Sequence, residues 1–158
     1  MYGSRPLSRL ESALYVIVVC VLVLVFLDRM QVNFEYAERA AVETTLLQTQ
    51  SALHTRLAYD LMRGQAPDID AWLAHNPFEL AQMTLANFAG ERDVPDPGAL
   101  ESGKWTYDRA THQLIYLPRF SRGLAIDGGG TALRFRLSVD RTGGMPRFLP
   151  VAPYRWEP

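Results

Sequence analysis

The sequence predicts an α+β fold in which a long N-terminal transmembrane-plus-amphipathic helix packs on a small C-terminal antiparallel sheet. Three observations lead there. From Leu10 to Arg63 there is no Gly or Pro, and within that stretch the uninterrupted apolar run Ala13–Leu27 passes into a mixed polar and apolar pattern. From Thr131 to Asp140 the residues alternate, with Leu133, Phe135, Leu137 and Val139 on one side and Arg134, Arg136, Ser138 and Asp140 on the other, the signature of a half-buried strand. Between them, Lys104–Asp108 and His112–Leu117 flank a short polar turn and read as a hairpin.

The apolar run covers about 22 Å of a hydrocarbon layer near 30 Å thick. It crosses a bilayer if Leu10, Met30 and Val32 are drawn in at its edges. The residues after it, DRMQVNFEY, offer no small-x-small cleavage site, which favours an uncleaved anchor over a signal peptide. Arg5 and Arg9 precede the run, while Asp28, Glu35, Glu38 and Glu43 lie beyond it with only Arg29 and Arg39. The positive-inside bias then places the N-terminus in the cytoplasm and the bulk of the chain across the membrane. Residues 1–12 are a short leader, 13–32 the membrane segment and 33–158 the domain beyond it. The one cysteine, Cys20, falls in the apolar run, so the outer domain forms no internal disulfide.

Two accounts of the helix start stand side by side. Ser8-Arg9-Leu10-Glu11 has capping-box spacing, in which the serine oxygen takes an orphan N–H and the glutamate reaches back. An acid at the head of a membrane helix is also costly unless paired, so Glu11 could meet a basic group of a neighbouring subunit. Further along, Ala37, Ala40, Ala41, Leu46, Leu47, Leu53, Leu57 and Leu61 form a broad apolar face expected to dock on the chain's own domain. This stalk, residues 33–63, should stop at Gly64, which suits a left-handed C-terminal cap, with Pro67 soon after.

Residues 64–103 are acidic. Asp68 caps a short helix ending before Asn76-Pro77, Phe78–Phe88 is expected to form another, and Gly90–Ser102, with its Asp96-Pro97-Gly98 turn, a surface loop. Residues 104–158 carry the sheet. After a turn at Thr142-Gly143-Gly144, Arg147-Phe148-Leu149 between Pro146 and Pro150 suits an edge strand. Nine bases in this last part, Lys104, Arg109, Arg119, Arg122, Arg134, Arg136, Arg141, Arg147 and Arg155, face the four acids Asp108, Asp127, Asp140 and Glu157. Two readings remain open for the opposed charge of the two regions. They neutralise each other within one domain, or one copy's acidic loop meets the next copy's basic face, with Arg134 and Arg136 as the candidate contact.

Chemistry is sparse. A net charge of −1 argues against a nucleic-acid binder. Gly128-Gly129-Gly130 lacks the flanking pattern of a phosphate loop, and His54, His75 and His112 have no metal-ligand neighbours in sequence. No catalytic residue, cofactor or metal is expected, and Asp108 and Asp140 are ordinary turn acids.

The layout resembles the type IV pilin and type II secretion pseudopilin class: a short basic leader, a glutamate near the start of an apolar helix, a long amphipathic continuation and a C-terminal sheet. Asn76-Pro77-Phe78, Asn87-Phe88-Ala89-Gly90-Glu91, Gly103-Lys104-Trp105-Thr106-Tyr107-Asp108 and Leu114-Ile115-Tyr116 are similar to the periplasmic half of accessory proteins of mannose-sensitive-haemagglutinin-type (MSHA) pilus biogenesis. The resemblance implies a bacterial inner-membrane protein, single-pass, with a periplasmic domain and no enzymatic activity. Its partners would be membrane lipid, other pilin-like or assembly subunits and further copies of itself. Where the class has glycine before its peptidase cut, this chain has Pro6 before Leu7. An uncleaved subunit of that kind would serve assembly, or would be a bitopic scaffold that recruits periplasmic partners without entering a filament.

Overall fold

The computed structural model describes residues 9–65, 68–93, 100–139 and 145–157. Ser8, Pro67, Asp96-Pro97-Gly98, Asp140 and Thr142-Gly143-Gly144 lie outside them. A single helix, α1 (Arg9–Met62, 54 residues), carries the N-terminal third. At 1.5 Å per residue it is about 81 Å long. Its first part contains a window apolar and long enough to cross a membrane, and no part of that window is buried by the rest of the chain. Side chains from Leu14 to Leu27 stand open all round the helix, which in water would leave an apolar surface far beyond what a soluble monomer tolerates.

The helix stops as its sequence predicts. Gly64 adopts φ +72°, the Gln65 amide donates to the Asp60 carbonyl at 2.9 Å and the Gly64 amide to Leu61 at 3.0 Å. These two bonds close a Schellman cap and satisfy carbonyls the helix itself cannot. α2 (Ile69–Ala74) starts where the Asp68 carboxylate accepts the Asp70 and Ala71 amides. The helix expected across Phe78–Phe88 is only one turn, α3 (Pro77–Leu80), capped by Asn76. Gln82 turns left-handed at φ 53°, and the Met83 amide returns to the Phe78 carbonyl, so the same closure stops the helix without a glycine.

Seven strands follow: β1 (Phe88–Arg92), β2 (Lys104–Asp108), β3 (Gln113–Leu117), β4 (Leu124–Ile126), β5 (Leu133–Ser138), β6 (Arg147–Pro150) and β7 (Tyr154–Trp156). Five make one sheet in the order β1-β2-β3-β5-β6, and β4 pairs with β7 apart from it. The expected antiparallel sheet is therefore mixed, because β1 runs parallel to β2. Part of the expected Gly90–Ser102 loop belongs to that strand: Phe88 pairs with Trp105 and Glu91 with Tyr107, with an irregularity between them. Gly90 there has φ +96°, a backbone setting that glycine adopts without penalty. The β2–β3 hairpin is present, its turn held by the Asp108 carboxylate, which accepts the Ala110 amide and the Thr111 hydroxyl.

One face of the sheet carries Trp105, Tyr107, Leu114, Tyr116, Leu133 and Phe135, brought side by side by the register. It closes on Val42 of α1, Phe78 and Trp156 as the main core. Leu53 of α1 forms a second cluster with Trp72, Leu137 and Val139. A three-residue pair such as β4–β7 has no stability alone. Trp156, buried in the main core, supplies it.

Candidate assembly surface

Beyond the apolar window, α1 has two unlike faces. The docked one carries Glu35, Val42, Thr49 and Leu53, all buried, with Leu46 and Leu57 packed beside them. Its polar groups tie down the domain. One oxygen of Glu35 accepts the Gly123 amide at 2.7 Å and the Trp156 indole N–H at 2.9 Å. Glu38 accepts the Arg119 and Phe120 amides, both at 2.8 Å, and the Tyr116 hydroxyl at 2.7 Å. Arg39 donates to the Trp156 carbonyl at 2.6 Å, Arg56 to the Leu80 carbonyl at 2.7 Å, and the His54 ring meets the Pro146 carbonyl at 2.7 Å. Backbone groups that no strand satisfies thus find partners on the helix.

The opposite face follows the same helical period. Asn33, Ala37, Ala40, Thr44, Leu47, Ser51, Thr55, Ala58 and Met62 recur at steps of three or four, and every one is exposed. None is charged. Of the charged side chains between residues 33 and 62, Glu35, Glu38, Arg39, Arg56 and Asp60 fall on the other half of the helix circumference, and Glu43 stands at the edge of the stripe, paired with Arg39. A solvated helix surface normally has the reverse arrangement. The expected docking face is corrected accordingly: Leu46, Leu53 and Leu57 dock, whereas Ala37, Ala40, Ala41, Leu47 and Leu61 are exposed. The domain needs carboxylate acceptors along α1, and turning Glu35 and Glu38 inward rotates those apolar positions outward.

Of the residues singled out from sequence, those described sit away from this stripe: Glu11 at the head of α1, and Arg134 and Arg136 together on one face of β5. Ser8 lies outside the described residues. Glu11 is exposed in the first turn of α1. Arg134 and Arg136 lie on β5, on the sheet face turned away from the main core, with Arg136 exposed and Arg134 half-buried. Two acids of the acidic region pair with bases of the chain itself, Glu101 with Lys104 and Asp93 with Arg109, which supplies part of the internal neutralisation. No known family model matches the chain, and no curated protein or solved structure is detectably similar to it. Its reading rests on its own geometry. Among the described residues no three His, Cys, Asp or Glu side chains converge as metal ligands. A groove of about 570 Å³ between the C-terminal end of α1 and α3 is lined by ordinary helix and turn residues including Thr55, Tyr59 and Gln82.

Sequence reasoning missed Glu35 and Glu38. The available signal was spacing: Glu35, Val42 and Thr49 repeat every seven residues, in line with Leu46 and Leu53. The tyrosines set beneath this face carry a pH signature. Burial, with the charges of Glu91 and Asp108 adding to it, pushes Tyr107 up to about 12. Burial and then the bond to Glu38 raise Tyr116. A folded-state pKa above the unfolded value of about 10 stabilises the fold below pH 10, and that contribution is lost as pH rises through the folded value. The urea midpoint should fall steeply from pH 10 upward, and less steeply in Tyr107→Phe. Equal slopes for the two chains would exclude Tyr107 as the source.

Proposed function

We propose that this chain is a non-enzymatic structural or assembly subunit of a pilus-like or secretion machine of the type IV pilin and pseudopilin kind, rooted by α1 in a bacterial inner membrane with its domain in the periplasm. The observation that carries the reading is the inverted helix. A stripe of nine uncharged, largely small side chains runs along the exposed face of α1, continuous with the apolar window below it. Small residues let helix backbones approach closely, and an uncharged stripe loses little on leaving water. The role is one of packing: the domain clamps one side of α1 through Glu35, Glu38 and Arg56, and the other side is left for helices of partner subunits. The MSHA-type pilus is the specific machine suggested by the stretches Asn76–Phe78 and Gly103–Asp108.

Two acids on the bare stripe test this. In the Ala40→Glu/Thr44→Glu chain the fold should hold within about 0.5 kcal/mol, since neither position packs on the domain. Recovery of the chain in sheared surface fibres and high-mass membrane complexes should drop about tenfold or more. Undiminished recovery in both fractions would sink the proposal. Loss from membrane complexes, with no wild-type chain ever found in fibres, would select the bitopic scaffold instead.

A further inference from the structure

The segment joining β3 to β4, residues 118–123, lies against α1 at the end of the apolar window. Arg122 donates to the Asp28 carboxylate and to the Gln31 side-chain carbonyl, both at 3.0 Å. Asp28 directly follows Leu27, the last residue of the uninterrupted apolar run. Phe120 stacks on Phe34 with ring centroids 5.5 Å apart, and both rings remain partly open to solvent. Glu38 and Glu35 hold this segment by its own amides at residues 119, 120 and 123. It therefore cannot swing away from the helix without leaving those carboxylates unsatisfied.

Membrane thickness fixes its height. About 20 residues of helix are needed to cross 30 Å of hydrocarbon. Counted from Leu10, the crossing ends near Arg29, two residues below Gln31. The headgroup layer beyond it is about 5–8 Å thick, or four or five helical residues. That is the level of Arg122, which reaches Asp28 and Gln31, and of Phe34 under the Phe120 ring; Arg119, whose amide bonds Glu38, stands higher and borders the same cleft. A cleft of about 220 Å³ opens there between Gln31 of the helix and Arg119 and Arg122. Arg122 spends two of its five N–H groups on α1, and its side chain is 69% exposed. The nearby acids are already engaged: Asp28 by Arg122, and Glu35 and Glu38 by the amides, indole and phenol named above.

Resting on the reading of α1 as a membrane anchor, we propose that the 118–123 segment is a lipid-contact site, at which Arg119 and Arg122 bind the phosphate of an anionic phospholipid headgroup and Phe120 and Phe34 lie at the membrane interface. Arginine suits this role because its fork meets phosphate oxygens directly, and aromatic rings favour the interface. The domain would then be seated on the bilayer in a fixed orientation that presents the bare stripe of α1 sideways.

The test uses the full chain, one copy per nanodisc, in phosphatidylcholine with or without phosphatidylglycerol. Nitroxide labels are placed on native Cys20, on Ser121→Cys and on Ser51→Cys, the last two in a Cys20→Ala background, and their accessibility to oxygen and to a water-soluble nickel chelate is measured. The Ser121→Cys label should be several-fold less accessible to nickel than the Ser51→Cys label. In phosphatidylglycerol discs, Arg119→Gln/Arg122→Gln should restore access at that position. Equal nickel access at the two labels overturns the proposal, and so does shielding indifferent to both the anionic lipid and the arginines. The Cys20 label separates the two levels of inference. If it is exposed to nickel, the anchor reading fails; if it is buried in the bilayer while residue 121 is fully aqueous, only the headgroup site fails.

Discussion

Replacing Glu35 by alanine is expected to destabilise the protein by about 3–5 kcal/mol, because a buried donor and a half-buried one lose their charged acceptor in one step. Glu35 is 3% exposed, and the same Oε1 takes the Gly123 amide and the Trp156 indole. The Trp156 indole, buried in the core, has no ready access to water once the carboxylate is gone, whereas the half-buried Gly123 amide borders the cleft beside Glu35. Glu35→Gln keeps a carbonyl oxygen at that place, so it should retain both bonds, lose only their charge assistance and cost about 1–2 kcal/mol. Urea unfolding of the full chain in detergent, followed by tryptophan emission, gives both values. Hydrogen exchange adds a local readout: β7 and β4 should open first in Glu35→Ala, as their short ladder depends on Trp156 being held. An alanine variant within about 0.5 kcal/mol of wild type would mean that Glu35 is no clamp.

The same residue shows where the sequence was readable and where it was not. Elements defined by local chemistry were legible. Gly64 ends α1, Asp68 caps α2, the turn after Asp108 closes a hairpin, and β5 buries Leu133, Phe135 and Leu137 while Arg136 stays outside. Elements created by pairing were not. Phe88-Ala89-Gly90-Glu91-Arg92 has neither alternation nor β-branched residues, and it becomes a strand only because the β2 edge is there to pair with. The facing of α1 was misjudged for a related reason. Counting apolar residues favours Ala37, Ala40 and Leu47 as the inner face, but a helix docks where the whole free energy is lowest. Amides at 119, 120 and 123 with no strand partner outweigh a few alanine methyl groups, each worth less than a kilocalorie per mole of burial.

Trp105→Ala should be as damaging as the loss of Glu35, at about 3–5 kcal/mol, through packing rather than polar satisfaction. Trp105 is 1% exposed and sits near the middle of the sheet. Its ring meets Phe78 edge-on with centroids 5.7 Å apart and lies tilted against Tyr116 at 4.9 Å and Phe135 at 6.0 Å. It therefore joins α3, β3 and β5, and through the same cluster Val42 of α1. A cavity of that size cannot collapse, because Tyr116 is held by Glu38 and Phe78 by the Asn76 cap. Trp105→Phe keeps an aromatic ring in the cluster and should cost roughly half as much. The comparison with Ala40→Glu/Thr44→Glu then carries the functional argument. Trp105→Ala should lower stability and assembly together, whereas the paired acids on the bare stripe should lower assembly alone. If both variants lost assembly only in proportion to their loss of stability, the stripe would be inert surface and α1 would serve the domain alone.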